Sequence, residues 1–131
     1  MLLLSLFFNS TLFSSKFFFE NVSFSENCSD SIDIDFGIGE IHHAQFKDIG
    51  NDAIDFSGSK VKISNIHLKN VGDKLVSVGE NSEVDIRNLT GNNSYVGIAS
   101  KDGSLAILEN IKMNNININN YAQEDINRLK N

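Results

Sequence analysis

The sequence predicts an all-β chain wound as a parallel solenoid of about five coils, each close to 22 residues long. Three observations lead there. First, apolar residues recur in columns: Val22, Ala44, Ile66, Leu89 and Ile111 stand at steps of 22, 22, 23 and 22, and Ile32, Ile54, Val76 and Ile98 stand 22 apart. Second, apolar and polar residues alternate with period two inside each copy, the pattern of half-buried strands and not of helices. Third, short Gly/Ser/Asn/Asp clusters fall at the same place in successive copies, where a coil must turn.

The elements follow in chain order. Residues 1–16 read as a signal-like segment or a partial N-terminal coil. Leu2 to Phe8 form a short apolar run with no Lys or Arg before it and no small-residue cleavage site after it, and Leu12 sits 22 residues before Ile34. Residues 17–120 form the repeat domain. In VKISNIHL, Val61 and Ile63 alternate with Lys62, the phase slips at Ser64-Asn65, and Ile66 and Leu68 then alternate with His67. In DAIDFSGS, Ile54 and Phe56 point one way and Asp55 the other. Each copy thus holds about three short strands separated by bends. A third apolar column, Phe24, Phe46 and Leu68, loosens near Thr90 and Gly91 and resumes at Met113. Gly37-Ile38-Gly39, Ser57-Gly58-Ser59, Gly79-Glu80-Asn81-Ser82 and Lys101-Asp102-Gly103-Ser104 mark one corner, the last two longer by one residue. Residues 121–131 read as a polar tail or a short capping helix over residues 123–130, with Ile126 and Leu129 turned toward the last coil.

Composition narrows the function classes. The 131 residues carry a net charge of −6, which argues against nucleic acid and anionic membranes as partners, since both are held by clustered Lys and Arg. No stretch approaches the ~20 apolar residues of a membrane-spanning helix. Tryptophan is absent, so no tryptophan platform for sugars is available, and the single Cys28 is expected to be a small semi-buried side chain. Gly37-Ile38-Gly39 has no third glycine or following helix and is a corner, not a phosphate loop.

The bends share a residue type. Asn21, His43, Asn65, Asn88 and Asn110 occupy one column, and an inward amide there would bond to backbone groups of the bend and to the next coil. The phrases NDAIDFSGSKVKISN, VGDKLVSVGENSEVDIRN and VGIASKDGSLAILENI resemble right-handed, single-stranded parallel β-helix repeats of the pectate-lyase-like superfamily, over roughly Phe17 to Ile118. That resemblance implies an exported protein, extracellular or at the cell surface, with polysaccharide as partner, and the half-coil around Leu12 leads to the expectation of a fragment or a shortened relative of a longer β-helix.

Candidate chemistry gathers on aspartates. With Ile32, Ile34, Ile54 and Phe56 inward, Asp33, Asp35 and Asp55 face outward, and Asp33 and Asp55 stack at roughly 5 Å. Asp30 and Asp52 stack in the same way at the preceding corner. Together the five carboxylates offer hard oxygen ligands to Ca²⁺. In pectate-lyase-like enzymes, acids on an outer sheet bind calcium and the uronate substrate together. The resemblance implies that role here, as a calcium-assisted polysaccharide lyase or epimerase or a remnant of one. Such lyases also use a basic residue, often Arg, yet Arg87 maps to the bend column and Arg128 to the tail. Asp33 and Asp55 also have the spacing of a general acid and base for glycoside hydrolysis, without an apolar pocket to split their pKa values. With short loops and few coils, the expectation leans to a structural or carbohydrate-binding module without catalysis of its own.

Overall fold

The computed structural model describes the backbone of residues 4–6, 9–122 and 129–130. Ten strands follow one another: β1 (Leu4–Leu6), β2 (Ser10–Phe13), β3 (Lys16–Ser25), β4 (Ile32–Asp35), β5 (Ile38–Ile49), β6 (Ile54–Ser57), β7 (Lys60–Gly79), β8 (Glu83–Ser100), β9 (Leu105–Ala122) and β10 (Leu129–Lys130). Every pairing is parallel, and no helix occurs among the described residues. The chain is a parallel β-solenoid of about five coils with a spacing near 22 residues, as the repeats predict.

Each coil has three faces. The first carries residues 16–20, 38–42, 60–64, 83–87 and 105–109, and the second carries 22–25, 44–47, 66–69, 89–92 and 111–114. The third carries 10–13, 32–35, 54–57, 76–79 and 98–100. The apolar columns are continuous as expected: Val22 pairs with Ala44, Ala44 with Ile66, Ile66 with Leu89 and Leu89 with Ile111. Ile32, Ile54, Val76 and Ile98 form a second wall, all four fully buried. Phe24 and Phe46 stack face to face, centroids 5.2 Å apart and planes 4° from parallel. The loosening at Gly91 has a packing cause. The Leu75 side chain occupies the space that a Cβ on Gly91 would need, so the column continues with a residue borrowed from the opposite wall.

The corners account for the remaining backbone polar groups. Asn21, His43, Asn65, Asn88 and Asn110 all hold left-handed conformations, with φ of 57°, 55°, 57°, 54° and 54°. Asn tolerates that region better than most residues, which explains the recurring type. Here the structure corrects the expectation of inward amides: these corner side chains are half-exposed or exposed. A left-handed residue between two strands reverses the alternation and leaves the core to its neighbours. The amides bond to one another along the outside: Asn110 donates to Asn88 at 2.7 Å, and Asn88 to Asn65 at 3.3 Å. The third corner uses buried serines. Ser59, Ser82 and Ser104 each accept the backbone N–H of the preceding coil, from Gly37 at 2.9 Å, Ser59 at 3.0 Å and Ser82 at 3.1 Å. The longer corners carry two left-handed residues, Glu80-Asn81 and Asp102-Gly103, where the shorter ones carry Phe36 or Gly58.

At the ends, β2 pairs with β4 so that Leu12 lies against Ile34. Tyr121 and Ala122 complete β9, and Leu129 and Lys130 pair with Ala106 and Ile107. The rest of the expected capping helix, residues 123–128, lies outside the described residues.

Two substitutions test this account by urea denaturation. Phe46→Ala removes a fully packed ring and is expected to cost about 3–5 kcal/mol. Asn65→Ala is expected to cost about 1–2 kcal/mol through the left-handed backbone, with Asn65→Gly costing clearly less. Equal losses for Ala and Gly would reject the backbone origin.

Candidate functional site

An open groove of about 650 Å³ runs along the stack beside the second face. Its wall is a polar ladder five positions after the first: Asp48, Asn70, Asn93 and Asn115, with φ of 58°, 58°, 65° and 53°. Their side chains form one chain of hydrogen bonds. Asn115 donates to Asn93 at 3.1 Å, Asn93 to Asn70 at 3.0 Å, and Asn70 to the Asp48 carboxylate at 2.7 Å. Each amide keeps a second N–H and a carbonyl lone pair for a ligand.

The floor is bare backbone. Gly50 lies over Cys28 and Gly72 over Gly50, so closely that a Cβ at either glycine would collide with the carbonyl beneath it. Side chains are excluded at these two positions, which opens the groove there. Cys28 is exposed, correcting the expected semi-buried thiol, because the corner turns it away from the core. One coil beyond Gly72, Val71 pairs with Ser94 and Lys74 with Val96, so Gly72 and Asp73 oppose the single residue Tyr95. This bulge re-aims the strand. Ser94 fastens it by donating to the Asp73 carbonyl at 2.7 Å, and Tyr95 projects with 54% exposure. Charge enters the wall at the Glu26 and Asp48 end, where Lys47 lies 3.7 Å from Asp48; along Asn70, Asn93, Asn115 and Asn117 the lining is neutral amide.

The aspartates fall elsewhere, on the third face and its preceding corner. Asp33 pairs with Asp55 and Asp35 with Ser57, so Asp33 and Asp55 occupy neighbouring coils as expected. Burial, and then Asp35, Asp55 and Asp30 in turn, raise the Asp33 carboxyl above its ordinary value. The column continues into Ser77 and Ala99, both buried. Asp30 and Asp52 serve the corner. Asp30 accepts the Asp52 N–H at 3.0 Å and the Asn51 side-chain amide at 2.7 Å, and Asp52 accepts the Lys74 N–H at 3.0 Å. Asp52 is buried, and its carboxyl is pushed up to about 6 by that burial, against the opposing pull of Lys74. The Lys74 ammonium, 3.4 Å from Asp52, also contacts the Asp73 carboxylate. The five expected calcium ligands are therefore divided between corner hydrogen bonds and an outward row. No group of three or more His, Cys, Asp or Glu side chains suited to a metal occurs among the described residues.

Other candidates are also dispersed. Arg87 sits on the first face beside Ser64, gripped by Asp85, far from the aspartate row in the coil. His43 is exposed at its corner, and His67 is exposed between Gln45 and Thr90. No helix among the described residues is long and apolar enough to cross a membrane. The groove went unnoticed in the sequence although its signal was present: Asp48, Asn70, Asn93 and Asn115 keep the coil spacing, and Gly50 and Gly72 stand 22 apart.

Asp52 yields a pH test. Its carboxyl holds the proton more tightly in the folded chain, at about 6 against an ordinary 3.8, so this group favours folding fully below about 4 and loses that contribution as pH rises through about 6. Asp52→Asn keeps a side-chain acceptor for the Lys74 N–H. The variant is expected to match or exceed wild-type melting temperature near neutral pH, with the advantage vanishing in acid. A variant less stable at neutral pH by the same margin as in acid would contradict the assignment. Comparison with protein-family models, with curated proteins and with solved structures gave no match.

Proposed function

We propose that this β-solenoid is an exported, extracellular or cell-surface, carbohydrate-binding module whose groove takes an extended, neutral glycan laid along the coil axis. The observation that carries this reading is the groove itself: a regular row of side-chain amides beside a floor opened at two glycines, with an exposed tyrosine in its lining. Amides pair with sugar hydroxyls as both donor and acceptor, and an aromatic ring stacks on the apolar face of a pyranose. The rows repeat every ~4.8 Å, comparable with the advance per sugar of an extended glycan, so successive sugars meet successive coils. The resemblance to pectate-lyase-like repeats supports the same ligand class. A lyase at the aspartate row draws less support. Beyond Asp55 that row offers Ser77 and Ala99, and Arg87 stands on another face.

Affinity electrophoresis against neutral and uronate polysaccharides tests the proposal. Retardation by at least one neutral glycan is expected. Tyr95→Ala is expected to weaken it ~2–10-fold, and Asn70→Ala/Asn93→Ala further. No retardation by any glycan, or unchanged retardation in both variants, would overturn it.

A further inference from the structure

On the first face the outward column reads Glu20, His42, Ser64, Arg87, Glu109 from coil to coil. The corner rows stack like on like, Asn on Asn and Ser on Ser. This column instead sets a hydroxyl between an imidazole and a guanidinium. His42 bonds in two directions. Its Nε2 lies 2.7 Å from Glu40 Oε2, and its Nδ1 faces Ser64 Oγ in a hydrogen bond. Glu40 sits two residues before His42 on the same strand, where side chains share one side of the sheet. With the proton on Nε2 and donated to Glu40, Nδ1 presents its lone pair to the Ser64 hydroxyl. The His42 hydrogen bond holds the Glu40 carboxyl below its ordinary value, so the acid is ionised at neutral pH. Phe18, one coil earlier, lies against the imidazole with ring centroids 5.6 Å apart.

On the other side of Ser64, one coil on, stands Arg87. Asp85 holds its Nε and Nη2 at 2.9 and 3.0 Å, and Glu109 its Nη1 at 3.0 Å. That grip orients the guanidinium and leaves further N–H donors toward solvent. A hollow of about 300 Å³ lined by Ile38, Glu40, Lys62 and Ile107 adjoins the Glu40 end. Ser64 does not line that hollow and is partly exposed, so a small acyl group carried on a large alcohol can reach it.

We propose that Ser64, His42 and Glu40 form a nucleophile–base–acid triad that hydrolyses short-acyl carboxylic esters, with Arg87 facing the ester's carbonyl oxygen. Ser64 Oγ bonds to the carbonyl carbon while its proton passes to His42 Nδ1, and Glu40 stabilises the imidazolium. The resulting oxyanion faces Arg87. Collapse breaks the carbon–alkoxy bond, and the leaving oxygen takes the proton from Nδ1. Water then gives a proton to Nδ1 and bonds to the acyl carbon. The Oγ–carbon bond breaks, and Oγ regains a proton. The sum is ester plus water to acid plus alcohol. This activity is independent of the groove and differs from the lyase or epimerase chemistry weighed from the sequence.

The full chain is tested with a fluorophosphonate probe and with 4-nitrophenyl acetate. The expected results are an adduct mapped to Ser64 by peptide mass, and turnover that Ser64→Ala reduces to the background of exposed imidazoles. His42→Asn and Glu40→Gln are expected to lower turnover ~10²-fold or more, whereas His67→Ala leaves it unchanged. Arg87→Met is expected to lower kcat with little change in KM. Far-UV circular dichroism confirms that the variants remain folded. The proposal fails if the wild-type chain gives no Ser64 adduct, a result needing no variant, or if Ser64→Ala hydrolyses the acetate as fast as wild type.

Discussion

Everything in this molecule depends on how the chain turns its corners. A parallel solenoid meets the same bends in every coil, and each bend interrupts the strand ladder that would otherwise satisfy the backbone. The solution is a polar residue of fixed type at each bend, repeated until it pairs with its own copies. Outside, left-handed Asn and Asp residues link coil to coil through their side chains. Inside, Ser59, Ser82 and Ser104 accept the N–H groups that the third corner leaves over. Asp30 and Asp52 do the same in the connection from the second face to the third. The corners hold the strands in register, and the register turns each apolar position into a wall.

Because recurring corners keep the strands in register, the faces differ mainly in what their outward columns carry. The second corner presents amides beside a glycine floor. The third face presents two stacked aspartates and then buried small residues. The first face mixes charges, a hydroxyl and an imidazole. Binding and chemistry on such a frame are set by which residues meet across one coil spacing, and a single substitution alters one rung without moving the others.

The fold was legible because the strongest physical signal, burial with period two, repeats at one spacing. Val22 to Ile111 and Ile32 to Ile98 are walls that any register error would have broken. The gap at Gly91 was not legible, since its filler, Leu75, comes from a different column and touches Gly91 only after the coil closes. The direction of the Asn21-to-Asn110 amides was misread because alternation points inward there, and only the left-handed backbone turns the residue outward. The site was legible in part. Asp33 and Asp55 stack as their spacing requires, but nothing in the sequence distinguishes a carboxylate committed to a backbone N–H, such as Asp52, from one free for a ligand. The His42 contacts were hidden for a related reason: Glu40 reaches it along the strand and Ser64 across the sheet.

The amide rows have a direction. In both, every donor points from a later coil to an earlier one: Asn110 to Asn88 to Asn65, and Asn115 to Asn93 to Asn70 to Asp48. Aligned dipoles polarise one another and add. The second row delivers its positive end to the Asp48 carboxylate, which answers it with negative charge. Each row thus reads differently in its two directions, and the second closes on an acceptor that passes no hydrogen bond on.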